Sequence, residues 1–76
     1  MTPHYVVSST IDAIGHAENK LFVRFKSGVS YVYADVPYDI YDGLKKAESA
    51  GQFLHRMVKK NSSYRYTKLP DDPFQA

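Results

Sequence analysis

Residues 21–37, LFVRFKSGVSYVYADVP, and residues 41–56, YDGLKKAESAGQFLHR, decide the fold of this chain. The first stretch alternates from Leu21 to Lys26, breaks at Lys26–Ser27–Gly28, and runs on from Val29 to Ala34. This is a β-hairpin pattern with a glycine where the loop wants a positive φ. Two registers compete. A two-residue Ser27–Gly28 loop pairs Lys26 with Val29 and mixes Phe22, Arg24, Lys26, Tyr31 and Tyr33 on one face. A three-residue loop, a type I turn closed by a Gly28 bulge, pairs Phe25 with Val29 instead. It gathers Leu21, Val23, Phe25, Val29, Tyr31 and Tyr33 on one face and leaves Phe22, Arg24, Ser30 and Val32 on the other. A slip of one residue turns every side chain over, so one register excludes the other. The second separates apolar from polar more cleanly and is the expected one.

The second stretch reads as helices. Asp35 and Pro37 stand where a helix start wants an acceptor and a fixed φ. Val36, Ile40, Tyr41, Leu44 and Ala47 then recur on one face, with Asp39, Asp42 and Lys46 opposite. Gly43 costs this helix about 1 kcal/mol relative to Ala unless close packing requires it. Ser49–Ala50–Gly51–Gln52 has capping-box spacing and opens a second helix. Phe53, Leu54, Met57 and Val58 span one side of it, His55, Arg56, Lys59 and Lys60 the other, and Asn61–Ser62 end it.

Working outward, YVVSSTIDAIG at 5–15 contains a strand around Thr10 to His16, followed by a turn at Ala17–Glu18–Asn19. Tyr64 to Leu69 is a candidate short fourth strand. The expected fold is α+β, a three-stranded antiparallel meander followed by two helices packed on one face. One domain spans 1–76, with an ordered core from 6 to 68 and flexible ends at 1–4 and 70–76. Its expected core is Ile11, Ile14, Leu21, Val23, Phe25, Tyr31, Tyr33, Ile40, Leu44, Phe53, Leu54 and Met57.

Composition narrows the function classes. With 76 residues and no cysteine, neither disulfides nor a thiolate zinc site supplements the small core. The apolar runs are only a few residues long, so no signal peptide or membrane span is expected and a cytoplasmic protein is. Residues 1–48 carry five Lys/Arg against six Asp/Glu, whereas residues 49–70 carry Arg56, Lys59, Lys60, Arg65 and Lys68 with no acid. The net charge of +2 therefore conceals a concentrated basic segment, which bears on partners rather than on fold.

Several of these residues together resemble a known family. Ser8–Ser9, Ile11, Ile14–Gly15, Leu21, Val23, Phe25 and Gly28 match, followed by Tyr31–Val32–Tyr33, Val36–Pro37, Tyr41, Leu44, Ala47, Ser49, Gly51 and Phe53. In this order they resemble the KTSC domain, a short module named for its occurrence as a C-terminal extension of some lysyl-tRNA synthetases. It is also found alone in bacterial and phage proteins. The resemblance covers Val7 to Tyr66. His16 stands where Tyr is expected and Leu54–His55 where Phe–Asn is commoner, so no shared work is assigned to those positions. The synthetase context implies RNA as a partner, by analogy alone.

Two functions are open on the residues themselves. In the first, a weak, sequence-nonspecific RNA-binding module sets Arg56, Lys59, Lys60, Arg65 and Lys68 against phosphates, with Tyr64 or Tyr66 stacking on bases. Like charges at Arg56 and Lys60, four apart, cost the helix a few tenths of a kcal/mol, about 0.2–0.5; a plain solvated helix face is the competing explanation. In the second, a protein-interaction module docks through the exposed sheet face, where Phe22 and Arg24 are the candidate contacts, or through an edge strand. Ser49 to Gln52 reads as a cap rather than an anion site. No enzyme is expected: nucleophile elbow, paired-histidine helix and Gly-rich phosphate loop are all missing from the sequence. His4, His16 and His55 lack metal-ligand spacing, so no metal or cofactor is expected.

Overall fold

The hairpin takes the three-residue loop in the computed structural model, which describes residues 1–59 and 64–74. Phe25 N–H donates to the Val29 carbonyl at 2.9 Å, and Gly28, at φ 96°, donates back to the Phe25 carbonyl at 2.9 Å. Strand β3 (Lys20–Phe25) and strand β4 (Ser30–Tyr33) then pair Leu21 with Tyr33 and Val23 with Tyr31. The apolar set thus shares one face, as the alternation requires.

The sheet has five antiparallel strands in chain order. Strand β2 (Ile11–Ala17) joins β3 through Glu18 and Asn19, both left-handed at φ 53° and 62°. A two-residue hairpin turn with positive φ at both positions matches the twist of its strands. Strand β1 (His4–Tyr5) pairs with β2 at one edge, and strand β5 (Tyr66–Leu69) pairs with β4 at the other. The meander gains an unexpected edge strand, β1, whose His4 falls in the segment expected to be a loose start, and the candidate fourth strand is present as β5.

Helix α1 (Tyr38–Lys46) begins at Pro37 without a side-chain cap. Asp35 is not the acceptor expected for it: its backbone is left-handed, φ 58°, and turns the chain out of the sheet. Helix α2 (Ala50–Leu54) is capped by Ser49, whose hydroxyl accepts from Gln52 N–H at 3.4 Å. The chain then continues as a π-helical turn, His55–Lys59. The helix end expected at Asn61–Ser62 lies outside the described residues. This wider turn advances less per residue, so Met57 rotates out to 39 % exposure while Val58 stays buried above Leu54. Met57 therefore leaves the expected core and Val58 enters it. Phe25, Tyr31, Ile40 and Phe53 pack against the core only partly buried. Gly43 has its packing reason, because a Cβ there would stand 2.7 Å from the Phe53 ring.

The far face of the sheet is covered in its middle by the chain's own ends. Phe74 is buried, and a Cβ on Gly15 would lie 2.8 Å from its ring and 2.6 Å from Met1 Sδ. Within the segment expected as a free tail from 70 onward, Phe74 thus packs onto the sheet. Composition misled here: Pro70, Asp71, Asp72 and Pro73 read as a frayed end, yet they carry an aromatic anchor.

Candidate nucleic-acid interface

Strict alternation places Tyr31 and Tyr33 of β4, and Tyr66 and Lys68 of β5, on the face that carries the helices. Helix α1 lies over β2 and against α2, so among the described residues the β4–β5 side of this face is bordered by the π-helical turn and by Tyr64 and Arg65. A cleft of about 730 Å³ opens between them. Tyr33 and Val58 form its floor, Tyr31 and Tyr66 its aromatic side, and Lys59 and Arg65 its rim. A second hollow of about 580 Å³ adjoins it and shares Phe25, Tyr31 and Lys59. The residues it adds are Val29 and the polar or basic Ser9, Thr10, Lys26, Ser27 and Lys68.

The rings form a continuous edge-to-face chain. Tyr31 meets Phe25 and Tyr66 at centroid distances of 5.8 Å each, in T-shaped contacts. Tyr33 lies 5.9 Å from Tyr66. Such contacts orient rings with their faces partly free. Tyr66 is 65 % exposed, whereas Tyr33 is 4 % exposed. Burial, with Tyr31 and Tyr66 beside it, pushes the Tyr33 hydroxyl up to about 12. It therefore stays a neutral donor across the physiological range. The Lys59 ammonium stands 4.9 Å above the Phe25 ring, a cation–π contact that holds it over the boundary between the two hollows.

Charge in the cleft has one sign. Lys26, Lys59, Arg65 and Lys68 line it, no acid is among the described lining residues, and none of the four forms an ion pair among the described residues. On helix α1 and on the far sheet face cations are matched, whereas exposed Lys20 and Arg56 form no ion pair among the described residues. Lys46 bonds Asp42 at 2.9 Å, and Lys45 lies 3.7 Å from the same carboxylate; Lys46 above all holds Asp42 below the usual carboxylate range. Four unmatched cations over an aromatic floor suit a polyanion carrying planar groups.

Of the residues expected to bind nucleic acid, Lys59, Tyr64, Arg65, Tyr66 and Lys68 meet at this cleft. Arg56 is exposed but does not line it, and Lys60 lies outside the described residues. Phe25, Lys26, Tyr31 and Tyr33 join the site although sequence reasoning assigned three of them to the core. The signal that could have found them was their place on the helical face at the β4–β5 side, away from helix α1, where Phe25 and Tyr31 stay only partly buried.

The other candidates fall elsewhere. Phe22 and Arg24 share the far face, and Arg24 is already engaged there. A bulge in β2 turns Asp12 towards it, giving contacts of 2.9 and 2.7 Å, and Asp72 from the tail bonds it at 2.6 Å. Burial works against the charge, but these carboxylates raise Arg24 above the ordinary arginine value. Its guanidinium also lies 5.4 Å from the Phe74 ring and 6.0 Å from that of Tyr5. His16 stacks on Tyr41 and donates from Nε2 to the Val36 carbonyl at 2.7 Å, while His55 is exposed. Among the described residues no three His, Asp or Glu side chains are grouped to hold a metal ion.

A family model describes this arrangement: the KTSC domain matches residues 7–66. The chain belongs to the KTSC domain family. It is similar to a protein of Tsukamurella paurometabola, 45 % identical over 56 residues that cover 71 % of this chain and 84 % of that one. Its fold is similar to the crystal structure of a KTSC domain protein from Yersinia pestis. There the TM-score is 0.78 at 28 % identity, with 90 % of this chain and 96 % of the other covered. The family match ends at Tyr66, so Lys68 and the tail strap lie beyond the matched KTSC segment. Among the described residues no helix is long and apolar enough to cross a membrane.

Proposed function

We propose that this KTSC domain is a non-catalytic module that binds RNA weakly and without sequence preference through the cleft between the π-helical turn and strands β4–β5. The observation that carries this reading is the set of four cations, Lys26, Lys59, Arg65 and Lys68, unopposed by acid among the described lining residues and set around the exposed Tyr66 and half-buried Tyr31. Neutralising about four phosphates gives affinities on the order of 10⁻⁴–10⁻⁶ M at physiological salt. The lack of cysteine and the bacterial origin of both relatives suit a cytoplasmic protein of a bacterium or phage.

Docking of a protein is the competing reading, and its supports are weaker. Arg24 on the far sheet face is neutralised, and the free edge strand β5 carries Lys68, a residue type that discourages edge pairing. The test is fluorescence anisotropy with labelled single-stranded RNA and tRNA at several salt concentrations. The slope of log affinity against log salt should be about −3 for four phosphate contacts on a single strand. Lys59→Glu/Lys68→Glu should weaken binding at least about tenfold at low salt. Failure to bind either RNA at low salt turns the search to protein partners.

A further inference from the structure

The two hollows differ in chemistry, and that difference says more than charge alone. The first is the deeper and gathers four tyrosines. The second is shallower and adds the hydroxyls of Ser9, Thr10 and Ser27 and the cations Lys26 and Lys68 to Val29 and the shared Phe25 and Tyr31. Lys59 stands between them over Phe25. A ligand made only of charge meets Lys59 and Arg65 at the rim of the first hollow but makes no use of its rings. A ligand that alternates a planar apolar group with an anion uses both.

Resting on the RNA reading above, we propose that the cleft selects unpaired bases: one base stacks on Tyr66 beside Tyr31 in the aromatic hollow. The adjoining phosphate lies in the second hollow against Lys26, Lys68 and the Ser27 hydroxyl, with Lys59 shared between the two subsites. Tyr66 is the stacking surface because its ring is the most exposed of the aromatic chain, 65 %, and two T-shaped or tilted neighbours hold it upright. Tyr31 is half-buried and shapes the side of the slot. The aromatic hollow, about 730 Å³, falls within the range of about 300–1,000 Å³ typical of small-ligand sites. It therefore has room for a base with its sugar. A duplex keeps its bases stacked and paired, so it can offer this cleft phosphates but no free π-face.

Loss of one base–aromatic stack lowers affinity about five- to hundredfold, which sets the scale of the test. The whole 76-residue protein is titrated with four probes at one low salt concentration: a single-stranded oligouridylate, the same strand made abasic, a duplex RNA of equal length, and inorganic polyphosphate. The single strand should bind at least about fivefold more tightly than each of the other three. Tyr66→Leu, at a mostly exposed position, should remove that preference, and Tyr66→Phe should restore it. Equal affinity for the single strand and its abasic form overturns base selection, while the electrostatic RNA reading survives. Binding to none of the four overturns both. Preference for the single strand that Tyr66→Leu leaves intact overturns the assignment of Tyr66.

Discussion

Both faces of this sheet set basic residues beside aromatic ones, and they treat them in opposite ways. On the far face Arg24 meets Asp12 and Asp72 and lies against Phe74, so its charge is matched and its side chain is roofed by the tail. On the helical face Lys26, Lys59, Arg65 and Lys68 surround Phe25, Tyr31 and Tyr66, with no described acid among them. A basic residue beside an aromatic is thus no sign of a binding surface by itself. What separates the two cases is whether the chain brings its own carboxylate and its own roof.

The largest expected effect breaks the sealed face. Phe74→Ala removes a buried ring, and Phe→Ala changes in cores cost about 3–5 kcal/mol. At this terminal strap, where the neighbours can close in, about 2–3 kcal/mol is expected in urea unfolding. RNA affinity of the folded protein should change little, because the ring lies on the opposite side of the sheet. Loss of binding by the folded variant contradicts the independence of the two faces.

Charge reversal inside the cleft should do the converse. Lys59→Glu/Lys68→Glu alters exposed side chains, for which stability changes stay within about 0.5 kcal/mol each. Affinity for RNA should nevertheless fall at least about tenfold at low salt, since two phosphate contacts are replaced by repulsion. Equal unfolding midpoints with unequal binding isotherms are the expected pair of results.

Acid separates the faces without mutation. The Phe74 backbone N–H and then Arg24 hold Asp72 below the usual carboxylate value of 3.8. A carboxyl depressed in the folded state contributes stability above its unfolded value, and loses it as pH falls through the lower folded one. The tail should therefore loosen only below about pH 3.8. Phe74 ring resonances followed by NMR should shift in that window and stay constant around neutrality. Tail release near neutrality contradicts the role given to Asp72.

The smallest effect concerns the rim. Arg56 is exposed and does not line the cleft, so Arg56→Ala should leave the salt slope unchanged, while Lys59→Ala should reduce it by about 1. Equal reductions from both would spread the site across the whole basic helix.

Much of this contrast is legible in the amino-acid sequence. The hairpin register follows from alternation between Leu21 and Tyr33, because only one pairing sorts the side chains, and from Gly28 at the loop position that demands positive φ. Ser49 announces a helix start through its own hydroxyl. By contrast, β1 is two residues long and carries no alternation to read. Phe74 is hidden by prolines and aspartates that suggest a loose end, although Asp72 has a partner 48 positions earlier in the chain. Met57 and Val58 exchange roles because a π-helical turn is set by tertiary packing, whereas a helical wheel assumes uniform rotation. The basic residues of the site are visible as a run without acids. Of its aromatic half, Tyr64 and Tyr66 are visible beside Arg65, whereas Phe25, Tyr31 and Tyr33 are not, because they alternate as core residues do and only tertiary packing decides how far each is covered.

The central claim is that polyanions meet the helical face at β4–β5, away from the roofed far face. Titration of the isotopically labelled protein with single-stranded RNA, followed by amide and aromatic NMR shifts, tests this most directly. Shifts concentrated at Phe25, Lys26, Tyr31, Lys59, Tyr66 and Lys68, with Phe22, Arg24 and Phe74 still, are the expected result. Shifts centred on Arg24 and Phe74 instead, or none at RNA concentrations well above a millimolar, contradict it.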